Sequence, residues 1–282
     1  MIKKENPGAL FIVATPIGNL EDITLRALRV LREADLIAAE DTRKTRKLLS
    51  AYDIHRPLVS LYDQVERQKS SVLISRLLAG KKVAYVSEAG TPGISDPGYV
   101  LINAAIENGI DVVPIPGPSA VVAALSASGL PMNAFVFLGF PPSQVSKRRK
   151  YFESLRHETR TAVIYESPRR VIKLLSEMFE IIGNRKIVVG RELTKVHEEI
   201  LRGDLKGVLE RLKAFGEIKG EVTVILGGAE EARPEYSESD ILSLYSEVAK
   251  NSSMSTRDIV LSIAEKTGMP KKRVYSLITS RG

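Results

Sequence analysis

A mixed α/β fold of two domains, followed by a small helical module, is what this sequence predicts, and three observations carry the prediction. The chain has 282 residues, roughly twice the length of a common single domain, and 44% of them are hydrophobic, enough to fill two cores. From residue 10 to 228, short apolar runs alternate with amphipathic, helix-like segments, the pattern of substantially parallel sheets covered by helices. After Gly227-Gly228 the strand signals stop and the composition turns polar.

Strands of a first series are expected at 10–14 (LFIVA), 36–39 (LIAA), 57–61 (PLVSL), 82–87 (KVAYVS) and 111–115 (DVVPI). A second series is expected at 135–139 (FVFLG), 161–166 (TAVIYE), 186–191 (KIVVGR), 198–202 (EEILR) and 221–226 (EVTVIL). Between strands, the segment 23–34 places Ile23, Ala27, Val30, Leu31 and Ala34 on one helical face, as a sheet-covering helix requires. The run Pro114-Ile115-Pro116-Gly117-Pro118 is rigid and hostile to helix, so the domain junction is placed there, giving domains at 1–117 and 118–229. The tail, 230–282, reads as helices at 238–250 and 256–266, the second with Thr256 as a candidate cap. A turn at Gly268-Met269-Pro270 then opens a third, basic helix, an arrangement that resembles a helix-turn-helix module.

Composition removes whole classes of chemistry. With no cysteine, disulfides, thiolate zinc sites, iron–sulfur clusters and cysteine nucleophiles are excluded, and three isolated histidines argue against a metal site. No apolar run approaches the roughly 20 residues of a membrane helix, and MIKKENPGAL lacks the apolar stretch of a signal peptide, so a cytoplasmic location and no membrane partner are expected. The net charge is +7, and the tail contributes nothing to it, since its eight acidic and eight basic residues cancel. Basic residues cluster at 43–47, 147–150, 169–170 and 271–273. If the fold gathers them on one side they form a phosphate-binding surface; otherwise each is an ordinary solvated face.

Three loops at strand ends stand out, because open α/β sheets bind ligands beyond the carboxyl ends of their strands. The first, Ala14 to Leu20, contains TPIGNL, where Gly and Pro permit a tight turn and close approach of backbone to ligand. It is not the dinucleotide fingerprint, and no P-loop motif occurs in the chain. The second, Ser87 to Gly98 (SEAGTPGISDPG), presents backbone N–H and C=O groups suited to an amino acid carboxylate and a ribose. In the third, PGPSA at 116–120, Ser119 is a candidate helix cap and the small residues leave room for a flat ring system. Charged strand ends form a second set. Asp41 or Thr42 in EDTR reads as a helix cap, Pro168 in YESP suits a helix's first turn, and RELTK at 191–195 packs acid and base around a strand end.

Taken in order, TPIGNL, EDTR, SEAGTPGISDPG, PGPSA, YESP, RELTK and KGE (219–221) resemble the tetrapyrrole methylase superfamily, and within it the branch that methylates ribosomal RNA; the likeness covers residues 10–228. The resemblance implies a class III methyltransferase fold, two α/β domains with S-adenosylmethionine bound in the cleft between them, usually as a homodimer. It implies methylation of the 2′-hydroxyl of a cytidine in the decoding region of 16S rRNA, on naked RNA or the small subunit. Carried over by position, Pro16, Glu88, Ala89, Gly90, Thr91, Ile94, Ser119, Ala120 and Tyr165 are expected to line the cofactor pocket. Glu40, Arg43, Glu66, Glu192 and Lys195 are expected to face the nucleotide. Lys195 or Arg43 would offset charge on the attacking oxygen, and Glu192 or Glu66 would accept a proton. No metal is expected. One departure stands at Tyr62-Asp63-Gln64-Val65-Glu66, where the family usually carries His-Asn-Glu and this chain keeps only the glutamate. Two other readings stay open: a small-molecule tetrapyrrole or corrinoid methylase, and a non-catalytic RNA-binding factor.

Overall fold

The computed structural model describes residues 8–62, 64–230, 236–251 and 254–280. Contacts divide the chain into one compact unit ending at Ala229 and a second beginning at Glu230.

The first unit contains two five-stranded sheets. In the first, β1 (Ala9–Val13), β2 (Leu36–Ala39), β3 (Leu58–Ser60), β4 (Val83–Val86) and β5 (Asp111–Ile115) are ordered β3-β2-β4-β1-β5, and every pairing is parallel. Parallel strands are covered on both faces and therefore read as continuous apolar runs, and all four residues of β2 and of β4 are buried. Alternation then divides them between two cores. Ala84 and Val86 pack with α1 (Leu25–Glu33) and α2 (Thr42–Ala51), while Val83 and Tyr85 pack with α3 (Glu66–Leu78) and α4 (Tyr99–Glu107). The face expected for the first helix is observed, with Ile23, Ala27, Val30, Leu31 and Ala34 all buried.

This order fixes where a ligand can bind. The chain steps from β1 to β2 to β3 toward one edge, then from β4 to β5 toward the other, so the loops leaving β1 and β4 diverge and open a crevice at their carboxyl ends.

The second sheet departs from the parallel expectation. Its strands β6 (Phe135–Phe137), β7 (Thr161–Glu166), β8 (Lys186–Arg191), β9 (Glu199–Asp204) and β10 (Val222–Leu226) are ordered β6-β7-β10-β8-β9, and only β6 and β7 pair in parallel. The physical reason is loop length. Arg191 to Glu199 is far short of the dozen or more residues that a parallel crossover needs, so β8 must fold back on β9. β6 and β7 are joined through the helix α6 (Val145–Ser154) and can be parallel.

One face of this sheet packs on α6, α7 (Pro168–Ile182) and α8 (Leu205–Ala214), and the other on α5 (Ala120–Ser126). Ile17, from the loop after β1, joins that second cluster beside Val121, Val163 and Ile225, so the first loop is anchored in the core of the second sheet.

Helix ends follow the sequence with two corrections. Thr24 caps α1, Asp41 caps α2 by accepting from the N–H groups of Arg43 and Lys44, and Pro168 occupies the first turn of α7. Ser119 stands at the start of α5 but its hydroxyl makes no capping bond.

In the C-terminal unit, α9 (Glu238–Asn251), α10 (Thr256–Thr267) and α11 (Lys271–Thr279) share a small core of Ile241, Ile259, Val260, Ile263 and Val274. There Ser255, not Thr256, caps α10, because its extended backbone places the hydroxyl on the N–H of Asp258. Among the described residues no helix is long and apolar enough to cross a membrane.

Candidate functional site

The glycine- and proline-rich loops meet at the crevice. Thr15 and Gly90 form an isolated antiparallel bridge, and the hydroxyl of Thr91 donates to the carbonyl of Pro118 at 3.2 Å. The loops after β1, β4 and β5 are thus tied into one wall. Gly90 has φ +78° and Gly98 φ +129°, left-handed conformations that a side chain would strain. At Gly117 an added Cβ would lie 3.1 Å from that of Ala14, so the third loop also presses against the first.

Behind this wall lies a cavity of about 380 Å³, within the roughly 300–1,000 Å³ common for small-molecule sites. Eight of the nine expected cofactor residues line it: Glu88 to Thr91, Ile94, Ser119, Ala120 and Tyr165. Pro16 does not, and its neighbour Ile17 takes the place, because Ile17 is the residue turned toward α5 and the second sheet. The far side comes from the second sheet, through Tyr165 to Pro168 at the end of β7, Gly220 to Thr223 at the start of β10, and Phe140 after β6.

Every charged residue of the lining is acidic: Glu40, Glu88, Asp96, Glu166 and Glu221. The backbone N–H of Glu88 donates to Glu40 at 3.0 Å, and the side chain of Glu88 pairs with Lys44. Glu166 is 3% exposed; one of its oxygens accepts from the Ser167 N–H at 2.7 Å and the other faces Arg170 at 3.0 Å. Burial and the Asp96 carboxylate push the Tyr165 phenol up to about 12 against the opposing N–H of Val121, so it stays neutral near neutral pH.

The four residues expected to act on the acceptor separate. Lys195 Nζ lies 2.7 Å from Glu192 and 3.2 Å from Glu221, whose backbone N–H also donates to Glu192 at 3.0 Å. Because Glu221 lines the cavity, this triad reaches its rim although Glu192 and Lys195 are not in the lining. Burial alone would raise Glu192, but the Lys195 ammonium and the Glu221 N–H outweigh it and hold the carboxyl below its ordinary range. Burial alone would likewise lower Lys195, and the two carboxylates hold it above its ordinary value.

The loop carrying this pair is strained, with Glu192 at φ 51° and Thr194 at φ 65°, and it requires two glycines. A Cβ at Gly220 would fall 2.1 Å from Glu192, and one at Gly18 would fall 2.4 Å from Lys195, so TPIGNL packs directly on RELTK.

Glu66 is elsewhere. It is 6% exposed, and one carboxylate oxygen accepts from the N–H groups of Gly98, Val100 and Leu101 at 2.9, 3.0 and 3.3 Å, capping α4. The expectation that it faces the nucleotide is corrected, since a carboxylate buried on a helix N-terminus is committed to that helix. Arg43 also stays outside the lining, its side chain 89% exposed and its guanidinium 3.9 Å from Asp41.

The lining contains residues that sequence reasoning did not single out, notably Asp96, Phe140, Glu166 and Glu221. Asp96, Glu166 and Glu221 sit inside quoted motifs, so the signal existed; Phe140 had none. Of the basic clusters, 147–150 and 169–170 come together on the packed helices α6 and α7, which follow the two cavity segments at Phe140 and Tyr165. Among the described residues, no group of three or more His, Asp or Glu side chains is arranged to hold a metal ion.

Residues 9–209 match the family described as Tetrapyrrole (Corrin/Porphyrin) Methylases. A protein of Halalkalibacterium halodurans named ribosomal RNA small subunit methyltransferase I is 44% identical over 98% of this chain and 96% of its own. A protein of the same name from Thermotoga maritima is 48% identical over 79% of this chain and 100% of its own. Among solved structures, a diphthine synthase superposes with TM-score 0.61 at 18% identity, over 78% of this chain and 90% of that one. The uroporphyrin-III C-methyltransferase of Thermus thermophilus, complexed with S-adenosylhomocysteine, gives 0.56 at 19% identity over 78% and 97%.

Proposed function

Because the chain belongs to the tetrapyrrole methylase family, we propose that it is an S-adenosylmethionine-dependent methyltransferase of small-subunit ribosomal RNA, acting on the ribose 2′-hydroxyl of a cytidine in the decoding region of 16S rRNA. The observation that carries the substrate class is likeness along nearly the whole chain, 44% identity over 98% of it, to a protein named ribosomal RNA small subunit methyltransferase I; the 2′-hydroxyl, the cytidine and the decoding region are what the family resemblance implies. A homodimeric assembly and a cytoplasmic location are proposed with it, as the family resemblance implies.

The residues present fit the cofactor. The charged side chains of the lining are all acidic, which suits a cationic sulfonium, and the absence of a side chain at Gly90 opens the backbone to a ligand. The segments 88–91 and 119–120, with Ile94 and Tyr165, would hold it, and when bound it supplies a methyl carbon open to in-line attack. No covalent enzyme intermediate is needed, so positioning and charge arrangement dominate.

A ribose hydroxyl is a poor nucleophile until its developing charge is offset. Lys195 is suited to that task, because its two carboxylate partners keep it charged. With Glu66 committed to α4, Glu192 remains as the expected proton acceptor. Its lowered pKa makes it a weaker base, and holding Lys195 is the role its geometry supports best. Binding of the RNA is expected to be largely electrostatic and weakened by salt, with Arg43 and the basic residues of α6 and α7 meeting phosphates.

The test is incubation of unmodified small subunits with labelled cofactor, followed by mapping of the modified nucleoside by mass spectrometry. A labelled 2′-O-methylcytidine in the decoding region is expected; transfer to precursor tetrapyrroles with none to ribosomal particles would reverse the reading. Lys195→Ala and Glu192→Ala should each slow turnover while cofactor binding persists, and normal rates in both would remove the pair from the mechanism.

A further inference from the structure

The wall of the cavity contributed by the second sheet ends in an aromatic ring that no packing requirement explains. Phe140 lines the cavity yet is 58% exposed, one of the more open large apolar side chains in the protein. Its placement is built rather than incidental. β6 continues its pairing with β7 as far as Gly139, whose carbonyl accepts from the Tyr165 N–H at 2.9 Å. Gly139 then adopts φ +61° and turns the chain, bringing Phe140 beside Tyr165 with ring centroids 5.5 Å apart. Tyr165 is braced in turn by Phe137 at 4.9 Å, edge to face.

Two guanidiniums fix the segment that follows. Arg148, 5% exposed and paired with Glu177, donates to the carbonyls of Pro142 and Ser143 at 3.2 and 2.8 Å, and Arg170 donates to that of Pro141 at 3.2 Å. A half-open ring on a loop held this firmly has lost the freedom to fold back onto the protein, so its exposed side is available to a flat partner.

We propose that Phe140 is the stacking platform for the unpaired nucleobase of the acceptor nucleotide. This rests on the reading of the chain as an RNA methyltransferase. RNA is recognised through splayed-out bases stacked on aromatic side chains, and a ribose can enter the cavity only if its base is accommodated beside it. Phe140 lies where a polyanion would arrive, since the loop it begins runs directly into α6, whose Lys147, Arg149 and Lys150 are exposed, and α6 packs on α7, which carries the exposed Arg169. The cofactor's own ring would find room against the small residues Gly90, Ser119 and Ala120, on loops that follow strands of the first sheet, whereas Phe140 follows a strand of the second.

The chain contains no tryptophan, so Phe140→Trp supplies a single indole reporter at the site. A single-stranded oligoribonucleotide of the decoding region should quench its emission, and S-adenosylmethionine alone should not. On unmodified small subunits, Phe140→Ala should raise KM by roughly 5- to 150-fold, the range for loss of one base–aromatic stack, with less effect on kcat. Phe140→Tyr should recover most of it, and calorimetric affinity for S-adenosylmethionine should be unchanged, which also shows that the variant is folded. An unchanged KM in Phe140→Ala with active wild type overturns the platform alone. A selective loss of cofactor affinity overturns it too, by assigning the ring to the cofactor's adenine. Absence of transfer to RNA by the wild type overturns the functional reading beneath it.

Discussion

Thr15 and Gly90 exchange both of their backbone hydrogen bonds, at 2.9 and 3.0 Å, beyond the point where β1 and β4 have stopped pairing in parallel. Two loops that the topology sends apart are thereby joined into one lip, held by backbone rather than by side chains that could rotate away.

Gly90→Ala tests that lip. A Cβ there would sit 3.4 Å from Ile17, which is ordinary contact, so the cost comes from φ +78° and should be about 1–2 kcal/mol. Gly93→Ala carries the same strain at φ +82° with nothing within 4 Å. Both variants should lose similar stability in urea, and calorimetry should show that Gly90→Ala alone also weakens S-adenosylmethionine. Equal cofactor affinities would disprove the role of the bridge.

Glu66→Gln separates cap from catalyst. The variant keeps an acceptor but loses the charge facing three N–H groups, so the folded state should be weakened by about 1–2 kcal/mol. Turnover per folded molecule should stay near that of the wild type. A collapse of kcat at unchanged stability would return Glu66 to the chemistry.

The Lys195–Glu192 pair carries a pH signature. Glu192 titrates below its ordinary 4.5 in the folded protein, so its contribution to stability is complete above that value and is lost as pH falls through the lowered one. Lys195 titrates above its ordinary 10.5, so its contribution is complete below that value and fades as pH rises through the raised one. The Tm gap between the wild type and Glu192→Gln should therefore be flat from weakly acidic to weakly alkaline pH and narrow at both extremes. A gap that peaks near neutrality would contradict the assignment.

Arg148→Met should destabilise by about 3 kcal/mol, because it strands Glu177 where 20% of that side chain is exposed. Adding Glu177→Leu should recover much of the loss, since an apolar pair replaces a buried ionic one. Chemical denaturation of the four proteins in the cycle measures the coupling, and additive losses would mean that the two groups do not act as a pair.

A chain ending at Ala229 should fold and bind S-adenosylmethionine as the full chain does. The C-terminal unit has its own small core, and 225 residues of this chain span the whole length of the Thermotoga maritima relative. Loss of cofactor binding in the shortened protein, read by calorimetry, would show that the body depends on the tail.

Much of this architecture was legible in the amino-acid sequence. β7 and β8 fall on the expected residues 161–166 and 186–191, and the buried face of α1 is the one its periodicity marks. Eight of nine residues expected around the cofactor line the cavity, because glycine and proline at strand ends announce their backbone conformations locally. The short link from β8 to β9 did carry a signal for their antiparallel pairing, but the reversal of β10 against β7 was not legible, since apolar runs read alike in parallel and antiparallel pairs. Glu66 shows the limit at one residue: a carboxylate reads the same whether it faces a substrate or a helix end 32 residues along the chain.

What the sequence determined by itself is therefore whatever depends on neighbours within a turn or a strand: element positions, caps such as Asp41, and the loops that admit a ligand. What only the tertiary structure decided is which distant groups meet there. Gly18 against Lys195, Glu221 beside Glu192, and Phe140 over Tyr165 depend on how two sheets fold and pack. No local signal encodes those meetings, because each is fixed by the burial of whole faces rather than by the residues that finally touch.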